Sequence, residues 1–399
     1  MTTEALDPPY VSDVDPFSHE AILDALHHDS LIREAGPVVY LPQYDIWVVA
    51  RHAEVQEVLK DWETFSSEGR PFYDPASIRP EVLLTSDPPV HTRVRASIQR
   101  VLSGPAMRKM GDDFRAAAAD LVDDLLRDGP VELDGYKGVA ARYVLTVFPD
   151  MIGMPQEDRH FLLEFGDAVF QVFGPHNELW EKGVREGKEA IAYVERSCKR
   201  DVLAPDGIGA AIYGSADAGE ISELEAELLV KTLYSAGSDT TIFAITSLMK
   251  AMAEHPDQLD LLRADPSLAR NAFEENLRYQ TPARIGGRMT TRATELSGVR
   301  LPKGALVLVL QLPANRDPRR WEDPDRFDIT RKTAGHVGLG YGIHACVGQA
   351  VARIEGVSLV SELARRVERI ELLGPAVYKL NQGVHAIDRL PVRLTPAAR

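Results

Sequence analysis

The stretch His336–Arg353, HVGLGYGIHACVGQAVAR, decides the reading of this 399-residue chain. Gly338, Gly340, Gly342 and Gly348 crowd around Cys346. Glycines this dense mark a backbone that turns sharply or approaches something closely. A helix pattern starts just after the cysteine, so Cys346 should face free backbone N–H groups and the positive end of a helix dipole. Both favour a thiolate. A lone cysteine is ordinarily a small buried hydrophobe, but the glycine cage and the helix start point to a nucleophile or a metal ligand. A nucleophile needs a base and an orienting group. His344 is close, yet no third member is evident. Zinc needs further ligands at short spacing, and Cys198 is far away. An axial thiolate on heme iron needs one cysteine only.

Working outward, most of the chain has helical period. Asp112–Leu126 and Phe161–Phe173 read as amphipathic helices. Ser222–His255 is the longest pattern. It opens with a capping-box pair, Ser222 and Glu225, and stops at Pro256. At 1.5 Å per residue it spans roughly 50 Å. Val347–Arg369 is a further helix. Strand signals are fewer: Val38–Leu41 and Ile46–Val49 flank a turn and suggest a hairpin, Ala305–Leu310 reads as a short buried strand, and Val384–Leu394 as edge strands. The charged stretch 314–336 is long for an unstructured loop, which raises its functional interest. With no repeat or linker composition, residues 1–399 read as a single domain, mainly α with small β-sheets.

Composition bounds the function. Lys and Arg number 45 against 60 Asp and Glu, a formal charge of −15. That balance argues against nucleic acid and gives no support for an anionic membrane surface. Two cysteines cannot form a disulfide framework. The N-terminus is acidic without an apolar core, and the longest apolar runs are too short to span a bilayer. A cytoplasmic protein is expected.

The cysteine stretch resembles the heme-binding loop of the cytochrome P-450 superfamily, F-x-x-G-x-[RH]-x-C-x-G, through Gly342, His344, Cys346 and Gly348. Leu339 replaces the usual Phe, a change that bears on packing against the thiolate. Four further marks follow in family order over about 260 residues. Ala236-Gly237-Ser238-Asp239-Thr240 matches [AG]-G-x-[DE]-T, Glu275–Arg278 matches E-x-x-R, Pro324–Phe327 resembles P-x-R-F, and His91–Arg95 matches H-x-x-x-R. The resemblance implies the P-450 fold, with heme b between the long central helix and the cysteine-loop helix. It also implies a monooxygenase using O2, supplied with electrons by a [2Fe-2S]-type ferredoxin and an NAD(P)H-dependent reductase. Cys346 is then the iron ligand, and His91, Arg95, Arg288 and His344 hold the propionates. Asp239 and Thr240 relay protons, with Gly237 letting the helix open locally. Glu275 and Arg278 pair with Arg326 to brace the heme loop. A peroxide-using heme enzyme, a heme sensor and a cysteine hydrolase are the competing classes. The Asp239–Thr240 pair argues for O2 activation over peroxide.

A narrower resemblance concerns substrate. DPPVHTRVR, FGPHNEL, SAGSDTT, RADPSLARNAFEE and ANRDPRRWEDPDRFDITRKT look like the bacterial subgroup that oxidises para-substituted benzoic acids, notably by O-demethylation of 4-methoxybenzoate. That resemblance implies Phe170 and Phe173 on the ring, Arg79 near the carboxylate, and Lys231, Thr232, Ser235 and Ala236 on the long helix. Val82 stands where a carboxylate-binding serine is expected. Ala283, Gly286 and Gly287 replace bulkier residues and should enlarge the pocket, and Arg284 adds a candidate cation. A larger or neutral aromatic or terpenoid substrate is the alternative.

Overall fold

The computed structural model describes residues 8–69, 71–72, 82–102 and 104–398. Its axis is the helix Glu223–Glu254, 32 residues long. The predicted capping box is present: Ser222 Oγ accepts from the Glu225 N–H, and the Glu225 carboxylate accepts from the Ser222 N–H. Those bonds satisfy donors that the first turn otherwise leaves orphaned. Beyond His255, Pro256 starts the next helix. The central helix is buried on every side, as expected of a helix that is apolar all round.

Helices pack around it. Arg142–Ile152, Phe161–Gln171, Ala269–Gln280 and the cysteine-loop helix Gln349–Arg366 all contact it. The pattern over Asp112–Leu126 belongs to a longer helix, Gly104–Leu125, which lies along Gln349–Arg366. The predicted helix Val347–Arg369 begins and ends inside its expected bounds, because Val367 turns into a strand, Val367–Leu372. There the β-branched Val367 and Ile370 are both buried, three positions apart, with a register shift in the pairing opposite them.

The sheets are small. The predicted hairpin pairs Val39–Leu41 with Ile46–Val49, and Ile46–Val49 continues parallel to Leu306–Leu310. Ile285–Thr290 then runs antiparallel to Leu306–Leu310, with Phe65–Ser66 at its outer edge. A second sheet orders Val131–Asp134, Pro391–Pro396 and Val367–Leu372. Among the described residues, no helix is long and apolar enough to cross a membrane.

Candidate functional site

A cavity lies between the central helix and the cysteine loop. The helix contributes Leu229, Thr232, Ala236, Thr240 and Thr241, and the loop contributes Leu339, Gly340, His344 and Cys346. The loop is shaped by two left-handed turns, at Gly340 (φ 69°) and Gly342 (φ 70°). A Cβ on Gly342 would also lie 2.3 Å from the Leu59 carbonyl oxygen, so only glycine fits. The Cys346 N–H donates to the Leu339 carbonyl at 2.8 Å. Leu339, partly buried, packs on the main core and lines the cavity.

The thiol corrects one expectation. Burial pushes Cys346 up, against downward pulls from a Gly348 backbone hydrogen bond, Arg95 and Arg353. The helix start alone does not make a thiolate here. A bound metal would, because a coordinating thiol loses its proton outright.

Beside the cysteine, four basic side chains converge. The His91 and His344 rings lie 4.4 Å apart. Arg95 Nη2 donates to the Ala345 carbonyl at 2.6 Å. Arg288, from strand Ile285–Thr290, lines the same space. Burial first, then the neighbouring Arg288, His91 and Arg95, push His344 down to about 3. The Nε2 atoms of both histidines are buried without a hydrogen-bond partner among the described residues. Asp87 Oδ1 is 3.8 Å from His344 Nε2, too far to serve as one.

On the helix side, Thr240 Oγ1 donates to the Ala236 carbonyl at 2.7 Å and lines the cavity. Asp239 points the other way and is 2% exposed. Its Oδ1 has no partner among the described residues, and burial raises its carboxyl to about 8, Asp167 adding to the rise and Lys379 opposing it. A Cβ on Gly166 would lie 1.5 Å from Asp239 Oδ2, so the acid is seated on a bare stretch of the neighbouring helix. Gly237 also differs from expectation. The helix runs unbroken through it, and a Cβ there would sit 2.0 Å from Phe148 Cζ. Gly237 lets the Phe148 ring pack against the helix backbone.

Of the substrate-side candidates, Phe170, Phe173, Thr232, Ala236, Ala283 and Gly286 line the cavity. The two phenylalanine rings meet edge to face at 5.7 Å. A Cβ on Gly286 would meet only Val309 Cβ, at 3.8 Å, so the space its missing side chain leaves is open. Lys231, Ser235, Val82 and Arg284 do not line the cavity. Lys231 Nζ is 2.6 Å from Glu227 Oε1, one turn away on its own helix. Ser235 donates to the Thr232 carbonyl. Val82 belongs to the apolar core, and Leu83 and Leu84 take the cavity wall instead. Arg284 is fully buried against Asp29, with Nε 2.8 Å from Oδ2, and donates to the Pro16 carbonyl. Arg79 lies outside the described residues.

The brace around the loop has a different third member. Glu275 and Arg278 pair bidentately at 2.7 and 2.8 Å with side chains 0% exposed. The additional cation is Arg331, whose Nε reaches Glu275 Oε1 at 3.1 Å. Arg326 turns outward toward Asp328 and contributes its main-chain carbonyl to Arg278 and Arg331.

One acid escaped the sequence reading. Glu355 lines the cavity with 0% exposure, both carboxylate oxygens lacking a partner among the described residues. Burial raises its carboxyl well above the usual range, against a smaller downward pull from the neighbouring Thr241. Its signal was an acid in the stripe Val351, Glu355, Leu359 of one helix face.

The cytochrome P450 family model matches residues 136–366. Cytochrome p450 CYP199A2 of Rhodopseudomonas palustris is 46% identical over 389 residues, covering 96% of this chain and 94% of the relative. The chain belongs to the cytochrome P450 family. Vitamin D(3) 25-hydroxylase of Pseudonocardia autotrophica is 32% identical over 92% of each chain. Among solved structures, cytochrome P450 CYP109Q5 from Chondromyces apiculatus superposes with a TM-score of 0.80 at 26% identity, covering 98% of this chain and 100% of the other. Epothilone D-bound cytochrome P450epoK gives 0.84 at 25%, over 97% and 100%.

The P450 cofactor is heme held through a cysteine thiolate, and the residues present fit it. Among the described residues, no cluster of three His, Cys, Asp or Glu side chains is placed to hold a metal, whereas heme iron asks the protein for one thiolate. The four basic side chains, two with unpartnered ring nitrogens, suit the two propionates. This P450 is a monooxygenase that uses O2 and takes electrons from a partner.

Proposed function

We propose that the chain oxidises a para-substituted aromatic carboxylic acid, by O-demethylation or hydroxylation, with electrons from a [2Fe-2S]-type ferredoxin and an NAD(P)H-dependent reductase in the cytoplasm. Heme, when bound, supplies the activation of O2 and the transfer of one oxygen atom to carbon. Cys346 is its ligand, and His91, Arg95, Arg288 and His344 take its propionates. Thr240 presents a hydroxyl at the cavity face, and Asp239 behind it, neutral near pH 7, holds a proton that it can pass on. Phe170 and Phe173 supply an apolar face for an aromatic ring, with Thr232 and Ala236 across the same cavity.

The observation that carries this reading is the meeting of Cys346, Thr240 and the Phe170–Phe173 pair on one cavity. The resemblance of DPPVHTRVR, FGPHNEL and RADPSLARNAFEE to the benzoate-oxidising subgroup supports an aromatic acid. A second reading, a neutral aromatic, is favoured by Lys231 and Arg284, both committed to acids elsewhere. The two are separated by spectral titration of 4-methoxybenzoate against its amide. The acid should bind more tightly, and Arg79→Leu should weaken it by about 2–5 kcal/mol, the range for removing the partner of a buried charge. A wild type that prefers the amide overturns the acid reading.

A further inference from the structure

Gln311 follows strand Leu306–Leu310 and is 8% exposed. It lines the cavity next to Ala283, Ile285 and Gly286. Its backbone is fixed: the N–H donates to the Arg284 carbonyl at 2.9 Å, and its carbonyl accepts from Asn315. The side chain is less committed. Nε2 makes one long hydrogen bond, 3.4 Å, to the Ala283 carbonyl, and Oε1 has no partner among the described residues. Turning the amide over would set Oε1 against the Ala283 carbonyl oxygen, two acceptors with no proton between them. The orientation is therefore fixed, with nitrogen to Ala283 and oxygen left over.

An amide oxygen that no protein donor reaches, on the wall of a cavity, is left for water or a ligand to satisfy. Beside it, the room a Gly286 side chain would fill is open. A ring in this cavity thus meets, along one edge, free space and an acceptor-only atom. A carboxylate there would be repelled, whereas a hydroxyl would be held.

We propose that Gln311 is a specificity-determining residue, its Oε1 accepting a hydrogen bond from a hydroxyl on the substrate ring edge that faces Ala283 and Gly286. The substrate class is then a hydroxy-substituted aromatic. This rests on the cavity being the site of an aromatic substrate, and it adds a second polar group to the one proposed above.

The experiment is spectral titration of the heme-loaded enzyme with two matched pairs. One is 4-methoxybenzoate and 3-hydroxy-4-methoxybenzoate; the other is 4-ethylanisole and its 3-hydroxy counterpart. Wild type should bind the hydroxylated member of whichever pair binds about three- to tenfold more tightly, the net worth of one hydrogen bond to an acceptor that water otherwise satisfies. Gln311→Met should abolish that ratio by weakening the hydroxylated member alone, with the reduced-carbonyl spectrum unchanged. A wild type indifferent to the hydroxyl, or a ratio that persists in Gln311→Met, overturns the proposal and leaves the acid reading standing if the acids bind. Binding of the neutral pair alone overturns the acid reading and still decides Gln311. Binding of neither pair overturns both.

Discussion

Replacing Glu275 by Gln should destabilise the protein more than any change at Arg326, although both belong to family motifs. Glu275 accepts two hydrogen bonds from Arg278, one from Arg331 at 3.1 Å, and one from the Asp328 N–H at 3.1 Å. Arg278 spends its other donors on main-chain carbonyls, including Asn315 and Pro324 at 2.9 Å each. With both side chains 0% exposed, neutralising Glu275 leaves the Arg278 guanidinium buried without a counter-charge. Breaking such a pair costs about 3–5 kcal/mol. An unfolding entropy of about 2.1 cal/mol/K per residue gives roughly 0.8 kcal/mol/K for a chain this long, so Tm should fall by about 4–6 °C.

Arg331→Ala removes the bond to Glu275 and three to the Glu322, Asp323 and Arg326 carbonyls but leaves the Glu275–Arg278 pair intact; the bond to the buried acid, worth about 1.5–3 kcal/mol, sets a loss of about 2–4 °C. The Arg326 side chain is 64% exposed and 3.5 Å from Asp328. An exposed pair contributes about 0–1 kcal/mol, and the carbonyl that Arg278 and Arg331 use survives substitution, so Arg326→Ala should shift Tm by less than about 1 °C. Thermal unfolding followed by circular dichroism, with Soret absorbance in parallel, ranks the three variants. An Arg326→Ala as damaging as Arg331→Ala, or a Glu275→Gln within 1 °C or so of wild type, would refute the assignment.

Cys346→Ser should abolish the long-wavelength Soret band of the reduced carbonyl complex, since the soft anionic ligand is lost; persistence of that band removes Cys346 as the ligand. Thr240→Ala should leave heme and substrate binding in place but lower product formed per NAD(P)H consumed, with hydrogen peroxide making up the difference; unchanged coupling removes Thr240 from proton delivery. Asp239→Asn should stabilise the fold relative to wild type, increasingly so from about pH 4 to about pH 8. The folded-state carboxyl is raised to about 8 from 3.8, so across that window the unfolded chain ionises while the native one stays protonated, and wild-type stability falls with rising pH. The gap should widen by on the order of 1 kcal/mol per pH unit and level off above pH 8; a pH-independent difference between the two proteins contradicts a buried neutral Asp239.

Local signals placed the elements well, because each rests on neighbours in sequence. Ser222, Glu225 and Pro256 bound the central helix within a residue or so, and the turn before Ile46 sets the hairpin register. The errors share a different cause: a charged residue in sequence does not announce its partner. Arg284 looked like a free cation on the pocket wall, but its partner, Asp29, lies 255 positions away on a helix near the N-terminus. Lys231 looked free because a Glu one turn earlier is unremarkable on an exposed helix, and only burial of that face makes the pair decisive. Gly237 read as a hinge because motif position suggested one, while its packing against Phe148 depends on a helix some ninety positions upstream.

The same distinction governs the cysteine. Helix polarity and glycine density are local, and they located Cys346 correctly as the organising residue of the loop. Its protonation is not local: burial outweighs the backbone hydrogen bond and both nearby arginines. The loop therefore specifies position and access, and the charge state follows from what binds. The basic side chains Arg95, Arg288 and His344 line the cavity and His91 lies against His344, with the thiol itself left neutral until a metal takes its proton.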